Sequence, residues 1–174
     1  MDSITAFRTN YINTHELLTT KEDRALLQFF PIDPAYYVKC KFEPISNGEW
    51  FPMPTTSAGN QIDRKYGKLS FTIGGRSLSL FVYQSKSLLQ TRDYEDYLFV
   101  PFTDKTNGSE TYGGGRYLDC RIGEIHDGYL VLDFNKAYNP YCAYRPGYSC
   151  PIPPKENDLP VAIRAGEKTY GKAH

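Results

Sequence analysis

Residues 65–83 read K-Y-G-K-L-S-F-T-I-G-G-R-S-L-S-L-F-V-Y, and this stretch leaves the chain little choice of fold. Leu69, Phe71 and Ile73 alternate with Lys68, Ser70 and Thr72, and after Gly74-Gly75 the alternation resumes through Leu78, Leu80 and Val82. A period of two puts one set of side chains on each face of a strand. Gly-Gly accepts positive φ at both central positions of a tight turn, so the stretch is a β-hairpin. Tyr36, Val38, Cys40 and Phe42 alternate in the same way with Tyr37, Lys39, Lys41 and Glu43. E-W-F-P-M-P, with Pro52 and Pro54, belongs at a sheet edge, because proline has no N–H to give to a ladder. Y-L-F-V-P-F, R-Y-L-D-C-R and G-Y-L-V-L-D-F supply three more strands. Seven or eight short strands with no helical pattern between them predict a mainly β chain, a single antiparallel β-barrel or sandwich.

The first thirty residues carry a different period. Ile4, Phe7 and Tyr11, continued by His15 and Leu18, recur at helical spacing. Thr19 with Glu22 matches a capping box, and Leu26, Leu27, Phe29 and Phe30 form an apolar end before Pro31 and Pro34. The expected organisation is one domain over residues 1–174: a short N-terminal helical cap (1–30), a β-barrel or sandwich (36–134), and a Pro-rich C-terminal tail (135–168) packed on it.

Charge narrows the classes of partner. The chain has 20 basic and 20 acidic residues and no net charge, whereas nucleic acids and anionic membranes select a basic excess. Neither partner is expected. No apolar run approaches the roughly 20 residues of a bilayer span. M-D-S-I-T-A-F-R-T-N lacks the basic and apolar regions of a secretory signal, so the sequence as it stands is expected to be cytoplasmic, or exported if a leader has been removed. Oligomeric state is left open.

The chemistry-bearing residues gather outside the regular strands. D-F-N-K-A-Y-N-P-Y-C-A-Y-R-P-G-Y-S-C-P-I-P-P, residues 133–154, holds four of the 15 tyrosines, two cysteines and five of the 12 prolines. Asn135 and Asn139 supply donors and acceptors, and Tyr138, Tyr141, Tyr144 and Tyr148 have apolar bodies with polar tips. The stretch is either a clamp, its side chains replacing ladder hydrogen bonds that proline removes, or the wall of a pocket. E-T-Y-G-G-G-R, residues 110–116, offers glycines for close backbone approach and Arg116 for a bidentate grip on an anion. A strand follows it rather than a helix, which favours a tight corner with Arg116 paired to Glu110 or Asp119. Cys142 and Cys150, eight apart, suit a disulfide in an oxidising compartment or two free thiols otherwise. Their spacing and three scattered histidines give no metal site, and no cofactor fingerprint is present.

Several of these segments, taken together, resemble the DUF1684 family of uncharacterised bacterial, archaeal and some fungal proteins. F-F-P-I-D-P-A-Y, P-T-T-S-A-G, L-F-V-P-F-T-D-K-T-N-G-S-E-T-Y-G-G-G-R-Y-L-D, D-F-N-K-A-Y-N-P-Y-C-A-Y and C-P-I-P-P-K-E-N-D-L-P-V-A-I-R-A-G-E-K follow the family's order from about Phe7 to Lys168. The chain departs from it at Thr56-Ser57-Ala58-Gly59, where members usually show S-T-G, and in lacking the export signal of many bacterial relatives. The resemblance implies one compact β-rich domain and no particular reaction.

The functional expectation is binding of a small polar or anionic molecule in an aromatic-lined cavity, by Arg116, Tyr112, Asn135, Asn139, Tyr141 and Glu156. One alternative is an enzyme of hydrolase type, with Glu110 or Glu156 as acid–base or Cys142 as nucleophile near His126. Glu156 in an ion pair that holds the tail is the plainer reading of that residue. A structural or interaction module without a ligand is the third.

Overall fold

A computed structural model describes residues 2–57 and 59–171. Seven antiparallel strands, β1 (Tyr37–Pro44), β2 (Phe51–Pro54), β3 (Asn60–Ile73), β4 (Arg76–Ser85), β5 (Tyr97–Phe102), β6 (Arg116–Arg121) and β7 (Tyr129–Asp133), form one sheet. Their order is β6-β5-β4-β3-β1-β7, with β2 paired to the N-terminal part of β3. The sheet curls into a half-barrel. Its two edges approach each other after β7, where Tyr138 exchanges backbone hydrogen bonds of 2.9 and 3.1 Å with Tyr117 of β6.

Alternation decides which face is inside. Val38, Cys40 and Phe42 of β1 are buried, while Tyr37, Lys39, Lys41 and Glu43 are exposed. The β3–β4 hairpin turns at Gly74 (φ 58°) and Gly75 (φ 76°), a double left-handed conformation that favours glycine. Leu69, Leu80, Val82, Leu98, Val100, Leu130 and Leu132 fill the interior, and Leu159, Ile163 and Ala165 from the C-terminal segment complete it. Burial of each large aliphatic side chain is worth about 1.5–3 kcal/mol.

β5 is buried on both faces. Leu98, Val100 and Phe102 point into the main core, and Phe99 joins Met53, Tyr83 and Tyr117 in a second cluster on the opposite side of the sheet. β4 and β5 pair through Tyr83 and Phe99 and are bridged further along by a side chain of the tail. Asn157 accepts from Phe81 N (2.8 Å) and donates to Phe81 O (3.0 Å) and Pro101 O (2.7 Å). One amide thus substitutes for a missing piece of ladder.

The N-terminus departs from the expected pair of helices running to Phe30. α1 spans Asp2–Thr14, and α2 is a single turn, Lys21–Arg24. Thr20, rather than Thr19, caps α2, accepting from Asp23 N at 3.1 Å. After a turn through Leu26, residues 27–30 run extended against the C-terminal segment: Phe30 N donates to Gly166 O, Lys168 N to Gln28 O and Gly171 N to Leu26 O. Tail carbonyls and amides are better partners for this short apolar segment than a helix that Pro31 would stop within one turn.

Candidate functional site

The outer face of β5 and β6 carries Tyr97, Phe99 and Tyr117, at alternate positions of two paired strands. The chain following β7 crosses this face twice. Residues 138–141 pass over it after the Tyr138–Tyr117 bridge, and residues 149–152 return alongside β2, where Thr56 N donates to Cys150 O at 3.0 Å and Ile152 N to Pro54 O at 2.9 Å. Between this strap and the sheet lies a cleft of about 310 Å³. Tyr97, Phe99, Tyr117, Tyr138 and Tyr141 wall it, and Gln61, Ser85, Asn139 and Ser149 supply polar edges. The rings pack edge to face, Phe99 on Tyr117 at 4.8 Å and Tyr117 on Tyr138 at 5.9 Å, an arrangement aromatic quadrupoles favour. The Tyr117 hydroxyl donates to Pro151 O and ties strap to sheet.

Two carboxyl groups stand next to these walls. Asp119 of β6 accepts from the Tyr97 hydroxyl (2.7 Å) and the Tyr138 hydroxyl (2.6 Å), both at Oδ1. Burial raises the Asp119 pKa against the pull of those two donors and of Arg121, and burial beside Asp119 raises both phenols, so the tyrosines remain protonated donors. Asp63, fully buried on β3, accepts from Gln61 Nε2 at 2.9 and 3.0 Å. Burial pushes its carboxyl up to about 6 despite those bonds. No lysine or arginine lines the cleft among the described residues. Likewise, no group of three or more His, Cys, Asp or Glu among them could hold a metal ion.

Arg116 lies on the other side of its strand. It is fully buried, and its guanidinium donates to the carbonyls of Ile163 (2.9 Å), Ala165 and Glu167 (3.2 Å), with Asp104 3.5 Å from Nη2. The planar fork that suits an anion holds three tail carbonyls here. The glycines before it form a corner: Gly115 has φ 92°, and a Cβ there would meet Phe102 O at 2.7 Å. Tyr112 folds its ring over Gly114 and packs against the cluster of Leu17, Leu18, Ala143, Tyr144 and Tyr170.

Asn135 is also a clamp, exchanging bonds of 3.0 and 2.9 Å with the Asp33 backbone. Asn139 and Tyr141 do line the cleft. Asn139 is 2% exposed; its Nδ2 donates to Lys168 O, and its Oδ1 has no hydrogen-bond partner. The Tyr141 hydroxyl donates to Glu16 at 2.9 Å.

The three candidates for catalysis do not converge. Glu110 pairs with Arg164 at 3.1 Å on the surface. Glu156 pairs with Lys65 at 3.2 Å and accepts from Tyr83 Oη at 3.1 Å. Partial burial favours the protonated form of Glu156, but its backbone bond and those from Lys65 and Tyr83 outweigh this and lower its pKa. Cys142 is disulfide-bonded to Cys150 with Cα atoms 6.5 Å apart, so its sulfur is not a free nucleophile. His126 sits in an exposed turn, exchanging backbone bonds with Tyr129.

Gln61, Asp63, Ser85, Tyr97, Phe99 and Tyr117 were not singled out from the sequence, and Asp119, expected beside Glu110 as a partner of Arg116, instead accepts from Tyr97 and Tyr138 while Arg116 faces Asp104. A signal existed for two of them: in R-Y-L-D-C-R, Tyr117 alternates with Leu118 and Cys120, and Phe99 has the same relation to Leu98 and Val100. Aromatic residues opposite a core face are the mark of a second covered surface, since successive side chains of a strand point to opposite faces.

Residues 24–168 match the family described as Protein of unknown function (DUF1684). No curated protein matches the chain. Among solved structures, the chain is similar to the solution NMR structure of an uncharacterized protein of Haloarcula marismortui, with 33% identity, a TM-score of 0.73, and coverage of 97% of this chain and 93% of that one. With the family's residues matched over most of its length, the chain belongs to the DUF1684 family.

Proposed function

We propose that the protein binds a small, ring-bearing molecule in the cleft under the strap, with uncharged polar substituents that meet Gln61, Ser85, Asn139 and Ser149. The observation that carries this reading is the cleft itself: about 310 Å³ walled by five aromatic rings, within the roughly 300–1,000 Å³ of ligand pockets. An anionic ligand, for which Arg116 would be the grip, is not favoured. The guanidinium is buried against Ile163, Ala165 and Glu167, and the carboxyl groups next to the cleft walls are acidic. The test is a ¹H–¹⁵N titration with indole as neutral probe and benzoate as anionic probe. Indole is expected to shift amides of Phe99, Tyr117 and Ser149–Cys150, and Ser149→Trp, which fills the mouth from an exposed position, abolishes the shifts. Absence of indole shifts, benzoate binding as tight as indole's, or unchanged indole binding in Ser149→Trp overturns the reading.

A further inference from the structure

The strap has a second side. A cleft of about 280 Å³ separates it from α1, and Tyr138, Asn139 and Tyr141 belong to both clefts. The lining of the α1 cleft has a consistent chemistry. Tyr11, Tyr138 and Tyr141 present ring surface, and its acidic groups are Glu16 and Asp119. No lysine or arginine lines it among the described residues. His15 does not supply a positive charge, because its Nδ1 accepts the Leu17 N–H at 3.2 Å. Both tyrosine bonds to Asp119 go to Oδ1, which leaves Oδ2 available to a further donor. Among the described residues of the lining, the one buried polar atom without a hydrogen-bond partner, Asn139 Oδ1, is also an acceptor. A buried acceptor without a donor is costly, and a site built from acceptors, carboxylates and aromatic faces selects a donor that carries positive charge.

We propose that the cleft between α1 and the strap binds an organic ammonium ion, with its charge held by Glu16, Asp119 and the tyrosine ring faces and an N–H donated toward Asn139. The site is separate from the cleft under the strap, although the two share a wall. The class it takes is an alkyl or arylalkyl amine, protonated at neutral pH.

Three probes of one shape separate charge from shape: phenethylammonium, 2-phenylethanol and 3-phenylpropionate, each titrated into the ¹⁵N-labelled full chain. Phenethylammonium is expected to shift amides of Tyr11–Glu16 and Asp119 and to bind about tenfold more tightly than the alcohol, with the carboxylate weakest. Glu16→Gln, an exposed change that leaves the fold intact, is expected to weaken the ammonium about threefold and to leave the alcohol unchanged. Equal affinity for alcohol and ammonium overturns the proposal, as does an unchanged ammonium affinity in Glu16→Gln. Ammonium shifts confined to Phe99 and Ser149 also overturn it while leaving the strap cleft as a ligand site. Shifts on α1 without any indole shifts support this site and sink the other.

Discussion

Tyr11 on α1 donates a 2.7 Å hydrogen bond to Glu167 Oε1, joining positions 156 residues apart. The Glu167 carboxyl has no exposed surface and also accepts from the Tyr144 hydroxyl and, at 3.0 Å, from Asn139 N. His15 stacks edge-on against Tyr144 at 4.7 Å. One interior carboxyl therefore gathers the N-terminal helix, the strap and the C-terminal segment, and holds Asn139 where both clefts meet.

That carboxyl makes stability depend on pH in an unusual direction. Burial raises the Glu167 pKa from 4.5 to about 7, against the bonds from Tyr144, Asn139 and Tyr11 and the charge of Arg116. Between those values the folded protein holds a proton that the unfolded chain has lost, so stability falls as pH rises through the window. The contribution amounts to about 3 kcal/mol over the whole window. Asp63 acts in the same sense between 3.8 and about 6. Urea midpoints at pH 5 and pH 8 for the native sequence and Glu167→Gln test this. The amide mimics the protonated acid, and the variant is expected to gain stability relative to the native protein as pH rises. Parallel pH profiles for the two proteins contradict the assignment.

Arg116 should behave as a strut. Its guanidinium holds Ile163, Ala165 and Glu167 carbonyls, and Asp104 balances its charge while accepting from Thr106 Oγ1 and Ile163 N. Arg116→Met is expected to cost about 3–5 kcal/mol, because three carbonyls lose their donor and the buried Asp104 carboxylate loses the charge that balances it. Arg116→Lys recovers only part, since an ammonium cannot reproduce the planar fork. Chemical denaturation distinguishes this from a ligand-binding arginine, whose loss would leave the midpoint nearly unchanged.

The strand alternation carries most of the sheet, and it also carries the placement of Arg116. Arg116 has the same parity as Leu118 and Cys120, two core residues of one strand, so its burial was legible in R-Y-L-D-C-R. The stretch from Asp133 to Pro154 divides in two: Asn135 clamps Asp33, while Asn139, Tyr141, Cys150 and Pro151 line a cleft. What could not be read locally are the partners. Asn135 meets a residue 102 positions earlier, and Gln28 meets the backbone of Lys168 and Thr169. Periodicity describes a face, and the segment that covers it comes from elsewhere in the chain. The extended path of residues 27–30 is not legible for that reason, although their apolar character is clear.

Asn157 offers a sharper test of how the tail supports the sheet. Its side-chain amide occupies both Phe81 backbone groups and the Pro101 carbonyl. Asn157→Ala leaves one donor and two acceptors unpaired and is expected to cost about 3 kcal/mol. Asn157→Asp keeps the acceptor but turns the two donated bonds into repulsion between oxygens, so it should be no milder. Amide exchange of Phe81 is the local readout: protection there drops in both variants, and unchanged protection would mean that β4 and β5 hold together without the tail.

The strap is closed by the Cys142–Cys150 disulfide, and thiol chemistry can test it directly. Cys142 and Cys150 are bonded, whereas Cys40 and Cys120 are free and buried in the core. Burial pushes the Cys40 thiol up to about 12 and Cys120 further, so neither reacts readily in the folded protein. Unfolded without reductant, the protein should expose two reactive thiols, and after reduction four. Breaking the bond with the paired substitution Cys142→Ser and Cys150→Ser is expected to cost about 2–3 kcal/mol, the loop-closure entropy of a short ring. The effect should concentrate where Cys150 pairs with Thr56 and Ile152 with Pro54, because this return of the strap forms the far wall of the cleft. Faster amide exchange at Thr56, Cys150 and Ile152, with weaker indole binding, is the expected signature. Four reactive thiols in the unreduced unfolded protein would show that hydrogen bonds alone close the strap.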